Sequence, residues 1–183
     1  MIVAKQKRKE NIVEYLLYMW QIEDLIRANK FDIKSIKRTV ISQYKQPQKS
    51  IDEITEWYEQ LIEMMRRENV MKVGHIQLNK NVIIQLTDLH LALLKMPNET
   101  VYGAMYYQAL PFIVQLRSKA GGKEFPEIET CLNAIYGYLL LRMKGEKISE
   151  GTLEALKKIS SFLAILAEKY KDEKEGKLKL GDL

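Results

Sequence analysis

Three ionisable residues fall where helical spacing would bury them: Glu23, Arg27 and His90. Over residues 6–28, Ile12, Leu16, Met19, Trp20 and Ile26 line one apolar arc at about 100° per residue. Glu23 falls near the middle of that arc, and Arg27 between Leu16 and Trp20. A glutamate four residues before an arginine is the favourable order for an intrahelical ion pair. Two readings follow. Arg27 grips an anionic ligand while Glu23 orients it, or the two form a structural pair that fixes helix register with no ligand. His90 lies among Ile83, Leu86, Leu93 and Leu94 on an apolar face. It reads first as a core histidine bonded to a neighbouring side chain or carbonyl, and second as a ligand or base. An enzyme would need Glu23, Arg27 and His90 to converge on one cavity.

Metal and nucleophile chemistry finds less support. The second histidine, His75, is fifteen positions from His90, over ~20 Å along a continuous helix. No H-E-x-x-H, Glu-x-x-His pair or Cys/His cluster occurs. Neither a metal site nor a metal or nucleotide cofactor is expected. Cys131, the single cysteine, reads as a small core hydrophobe. Ser160-Ser161 lacks a glycine elbow, and Gly121-Gly122-Lys123 lacks the strand and the GK[ST] ending of a phosphate-binding loop. Tyrosines offer contact instead. Tyr18 on the polar side of the first helix and the Tyr106-Tyr107 pair beside Pro111 form a candidate interaction surface. Burial under the fifth helix, or in a homodimer contact, is the other place for them.

The elements that must position these groups are helices. The chain has 183 residues, 29 basic and 24 acidic, for a net charge of +5. With 46% hydrophobic and 29% charged residues it is too apolar to be disordered, and nine Gly with four Pro are too few turn residues for a β-sandwich. Apolar residues recur at helical spacing over 6–28, 33–44, 51–69, 76–96, 100–119, 127–144 and 150–170. This predicts an all-α fold: a compact single-domain bundle of six to seven helices over residues 1–170, with a charged, frayed tail over 171–183.

Local signals add detail. Asp32 and Ser149 read as N-caps, Ser50-Ile51-Asp52-Glu53 as a capping box, Pro126 as a first helical residue, and Gly74, Gly121-Gly122 and Gly145 as stops. Pro111 predicts a fifth helix kinked or broken near Ala109-Leu110. The fourth and sixth helices are apolar over most of their circumference and should be central. Thr130, Ala134 and Gly137 give the sixth a small-residue strip that another backbone can approach.

Residues 1–50 carry 11 basic and 5 acidic groups. Such a face could meet nucleic acid or another polyanion, although no helix-turn-helix signature accompanies it and the lysines are spread around the second helix. The basic start runs into Glu10, Asn11 and Glu14 without an apolar stretch, so no secretory signal and no membrane span are expected. A cytoplasmic protein is the economical reading.

The stretches QKRKENIVEYLLYMWQIEDLIRA (from Gln6), QLNKNVIIQLTDLH (from Gln77), ALPFIVQLRSKAG (from Ala109) and ISSFLAILAEKYKDEKEGKL (from Ile159) resemble an uncharacterised bacterial family known only as a domain of unknown function. The resemblance spans nearly the whole chain. It implies an all-helical architecture and a bacterial cytoplasmic origin, and brings no catalytic residues. The expectation is therefore a non-enzymatic helical protein for protein interaction or small-ligand binding, a homodimer being one form of it. The alternatives are polyanion binding through the basic N-terminal third and an enzyme built on Glu23, Arg27 and His90.

Overall fold

A computed structural model describes residues 2–119 and 125–178. Among these, eight α-helices and one 3₁₀ turn follow in the order α1 (Ile2–Glu10), α2 (Ile12–Ala28), α3 (Ile33–Thr39), the 3₁₀ turn (Ile41–Gln43), α4 (Gln48–Arg67), α5 (Gln77–Lys95), α6 (Thr100–Lys119), α7 (Glu127–Met143) and α8 (Glu150–Lys174). The described residues contain no strand. The fold is all-α, with one helix more than predicted.

The additional helix comes from a break at Asn11 inside the expected first helix. The Asn11 side chain accepts a bond from the Val13 amide at 3.0 Å, which is how an N-cap starts a new helix. Asp32 caps α3 through Lys34 N and Ser149 caps α8 through Thr152 N. The capping box at Ser50 does not form. Helix α4 starts earlier, with Pro47 preceding it and the amides of Ser50 and Ile51 already bonded to the Pro47 carbonyl. Ser50 is thus inside the first turn.

Helix α6 runs through Pro111 without a break. Proline removes the amide that would bond the carbonyl four residues back. That residue is Tyr107, which is 65% exposed. Helix α8 continues into the expected frayed tail as far as Lys174. The Gly121-Gly122 stop and the final five residues lie outside the described residues.

The chain divides into two compact units. The first comprises Met1–Lys9 and Glu14–Asn81, the second Glu10–Val13 and Val82–Leu183. In the first, α3 packs on α4, and the core is built from Leu16, Met19, Trp20, Ile36, Tyr58 and Met65. In the second, α8 packs against α6 and α7, which also pack on each other. Leu156, Ile159, Leu163, Leu166 and Tyr170 supply the buried stripe of α8 at spacings of three and four.

Helices α5 and α7 are less enclosed than expected. On α5, Val82, Ile83, Leu86, Leu89 and Leu93 are buried, but Leu78, Ile84 and Leu91 are exposed. On α7, Ile128, Thr130, Cys131 and Leu132 are buried, and no residue beyond them is.

Candidate functional site

Glu23 is fully buried on α2 in the first unit. One carboxylate oxygen, Oε2, lies 2.5 Å from His75 Nδ1. The other, Oε1, accepts from the Ile76 amide at 3.1 Å and from Asn79 Nδ2 at 2.8 Å. Ile76 immediately precedes α5, so Glu23 supplies an acceptor to one of the four amides that a helix start leaves unpaired. Glu68 does the same for Gln77 N. Two carboxylates at this end also complement the positive end of the helix dipole. The His75 ring stacks on Trp20, with centroids 4.1 Å apart and planes 10° from parallel.

Arg27 does not pair with Glu23. Its Nη1 bonds Asp24 Oδ1 at 2.7 Å, three residues back, and its Nη2 donates to the carbonyls of Val70, at 3.0 Å, and Gly74. The expected Glu23–Arg27 ion pair is therefore replaced by two separate sets of partners. Glu23 ties down the start of α5, and Arg27 holds the turn before it. Gly74 has φ +90°, a conformation that L side chains avoid, and its carbonyl faces the guanidinium from that turn.

His90 belongs to the second unit and is 2% exposed. Its Nδ1 lies 2.6 Å from the Tyr102 hydroxyl. Its Nε2 is 3.6 Å from Glu127 Oε2, which accepts a 2.8 Å bond from Tyr106. Arg117 Nη1 stands 3.9 Å from the other Glu127 oxygen. The neutral tautomer with its proton on Nε2 lets Tyr102 donate to Nδ1 and points the ring N–H towards Glu127. Phe162 and Tyr106 pack edge-on against the imidazole. Burial pushes the His90 pKa below its ordinary value, with Glu127 opposing that shift, and raises the phenols of Tyr102 and Tyr106. Burial, reinforced by Glu127, pushes the Cys131 thiol up to about 12, so it remains an unreactive thiol.

The sequence reading found Glu23, Arg27, His90 and Tyr106 and missed their partners His75, Asn79, Tyr102, Glu127 and Arg117. Glu23 bonds His75, Ile76 and Asn79, Arg27 bonds Asp24, Val70 and Gly74, and the partners of His90 lie in the second unit. These bonds fix helix starts, a turn and helix contacts. Among the described residues no group of three or more His, Cys, Asp or Glu side chains is placed to hold a metal ion.

The tyrosines divide differently from the expectation. Tyr106 is buried, Tyr107 is exposed, and Tyr18 is half-buried. The Tyr18 and Tyr58 phenols are raised by burial and by Tyr44 beside them. Tyr44, with Lys37, Ile41, Ile51 and Asp52, lines an open cavity of about 290 Å³. In the basic N-terminal third, Lys7 pairs with Glu14 at 2.9 Å and Arg8 lies over the Tyr15 ring. The first unit holds 15 basic and 10 acidic residues and the second 14 of each, so the whole net charge resides in the first.

Two charge-free runs mark the second unit. Residues 100–116 and 130–141 contain no Asp, Glu, Lys or Arg. On α6 the exposed residues include Val101, Tyr107, Pro111 and Val114; on α7, Leu141 is 43% and Met143 78% exposed. Gly137, inside the second run, has open space where a Cβ would stand. Among the described residues no helix is long and apolar enough to cross a membrane.

A family model described as a domain of unknown function (DUF4924) matches residues 1–177. No curated protein and no solved structure matches the chain.

Proposed function

Since the chain belongs to that family of unknown function, we propose from its own residues that it is a protein-interaction module of the bacterial cytoplasm, working through the charge-free faces of α6 and α7. The carrying observation is on α7. Ala134, Ile135, Tyr136, Leu139 and Leu140 form an apolar run that is half-buried, and Leu141, which ends it, is exposed. Depletion of charge with enrichment of Tyr and Met is the composition of interface cores rather than of open surface. Isolated exposed hydrophobics need no explanation, but a sustained uncharged face does.

The test is Tyr107→Glu combined with Val114→Glu. Both residues are exposed, so the melting transition should move by no more than the equivalent of ~0.5 kcal/mol. A photo-crosslinking side chain at Tyr107 should give a covalent protein adduct in living cells, whereas the same side chain at Glu59 on α4 should not. Absence of any adduct from Tyr107, or equal labelling from both positions, would overturn the proposal.

A further inference from the structure

We infer that the first unit binds single-stranded nucleic acid at the cavity lined by Tyr44. One base enters the cavity, and the flanking phosphates meet the cations of α3 and of the turn after it. The site belongs to the first unit and rests on none of the α6 and α7 observations above. Residues 30–49 carry Lys30, Lys34, Lys37, Arg38, Lys45 and Lys49 against a single acid, Asp32, which caps α3. This span alone accounts for the net charge of the unit. All six cations are exposed, and none is held in an ion pair or a side-chain hydrogen bond among the described residues. Because α3 ends at Thr39, the three cations left on it, Lys34, Lys37 and Arg38, share one helical face at spacings of three and four.

Lysines alone make a solvated face; the cavity beside them makes a site. It holds about 290 Å³, the lower end of the range for ligand pockets and room for one base. Its polar groups sort by chemistry. Ser42 Oγ donates to the Arg38 carbonyl at 2.6 Å and Thr55 Oγ1 to the Ile51 carbonyl at 2.9 Å. Both hydroxyl protons are thus committed, and the oxygens remain as acceptors. Asp52, held at 2.9 Å by Gln48 Nε2, adds a carboxylate. Lys37 lines the same cavity and joins it to the basic face of α3.

That arrangement selects among anions. A free phosphate or the carboxylates of an acidic peptide would suit the lysines but would meet Ser42, Thr55 and Asp52 acceptor against acceptor. A base brings N–H donors on its edge and a flat face for Tyr44, while its phosphates stay outside among the cations. Tyr44 is half-buried beside the phenols of Tyr18 and Tyr58, so the ring is positioned before any base arrives. A duplex keeps its bases stacked and their pairing edges occupied, and no helix-turn-helix signature is present to read its groove. The fit is therefore to a single strand.

The experiment is fluorescence anisotropy of a labelled, mixed-sequence single strand of about 12 nucleotides, within the usual site size, titrated with the full chain. The unlabelled strand, its duplex and polyglutamate serve as competitors. In ~50 mM salt the strand should bind at micromolar concentration, and by ~200 mM it should weaken about tenfold or more, as for about three neutralised phosphates. Lys34→Glu with Lys37→Glu should weaken binding about tenfold or more. Lys144→Glu with Lys147→Glu changes the net charge equally in the second unit and should weaken it less than about twofold. All four lysines are exposed, so neither pair disturbs folding. Tyr44→Leu should cost about fivefold or more, and Tyr44→Phe, which keeps the ring, should restore binding. No binding in ~50 mM salt overturns the inference, as does equal loss from both lysine pairs or full binding by Tyr44→Leu. Competition by the duplex or by polyglutamate as effective as by the unlabelled strand also overturns it.

Discussion

Removing the Glu23 carboxylate should destabilise the first unit more than any other single polar change there, and the geometry sets the size. Oε1 serves two enclosed donors, Ile76 N and Asn79 Nδ2, and Oε2 serves His75, whose side chain is 20% exposed. Hydrogen bonds to a charged group contribute about 1.5–3 kcal/mol each, and an orphaned buried donor costs about 1–3 kcal/mol. His75 can recover water on its exposed side; the other two donors cannot. Glu23→Ala should therefore cost about 3–5 kcal/mol. Glu23→Gln keeps an oxygen at the Oε1 position and with it both enclosed bonds. Its amide then meets His75 Nδ1, which can accept by moving the ring proton to Nε2. That variant should cost about 1–1.5 kcal/mol.

Urea titration followed by tryptophan fluorescence reads this directly. Trp20 and Trp57, the only tryptophans, both lie in the first unit, and Trp20 stacks on His75. With a urea slope of about 2 kcal/mol per molar, a loss of ~4 kcal/mol lowers the midpoint by about 2 M. A shift below ~0.5 M for Glu23→Ala would refute the view that this carboxylate secures the start of α5. So would a Gln variant as damaging as the Ala variant, because the Gln oxygen can keep both bonds that Oε1 accepts.

Two further predictions follow from the same partners. His90 has its pKa depressed in the fold by burial, so the unfolded chain takes up a proton first as pH falls. Stability should be fully present above about pH 6.5, the ordinary histidine value, and decline below it. Thermal melts of His90→Phe should show a shallower acid decline than the parent between pH 7 and 5; identical slopes would assign the decline to other groups. Arg27→Lys should loosen the turn before α5, because one ammonium cannot span Asp24 and the carbonyls of Val70 and Gly74. Amide exchange over residues 68–76 should accelerate by about tenfold or more, with helix content unchanged; unchanged exchange would show that the guanidinium does not hold the turn.

Local signals in the sequence were readable at some helix ends and not at others: the capping box read at Ser50 does not form. Asp32 and Ser149 cap the helices they precede, and helical spacing put Glu23 and His90 inside. Asn11 was legible too, as an N-cap type ahead of an apolar run, but continuous periodicity across 6–28 concealed the break. The partners were not legible. His75, Ile76 and Asn79 stand 52, 53 and 56 residues from Glu23, and only tertiary packing joins them. The arginine pairing failed for a related reason. Spacing favours Glu23–Arg27, yet a carboxylate already bound by three donors is taken, and Asp24 accepts instead. Pro111 was read as a kink or a break, and α6 runs through it unbroken.

The same contrast separates structural demand from interaction on α7. Apolar periodicity there predicted a central helix, because burial in the chain's own core is the usual reason for such a run. Beyond Leu132 the structure half-buries the run as far as Leu140 and leaves Leu141 and Met143 exposed. Gly137 has open space around its missing side chain, and Leu141 and Met143 reach solvent, so charged residues there would leave the core packing untouched. They would also raise solubility. The proposal accounts for this uncharged run by a partner surface that excludes water from it. That is why an association measurement, more than a search for turnover, is the decisive experiment for this chain.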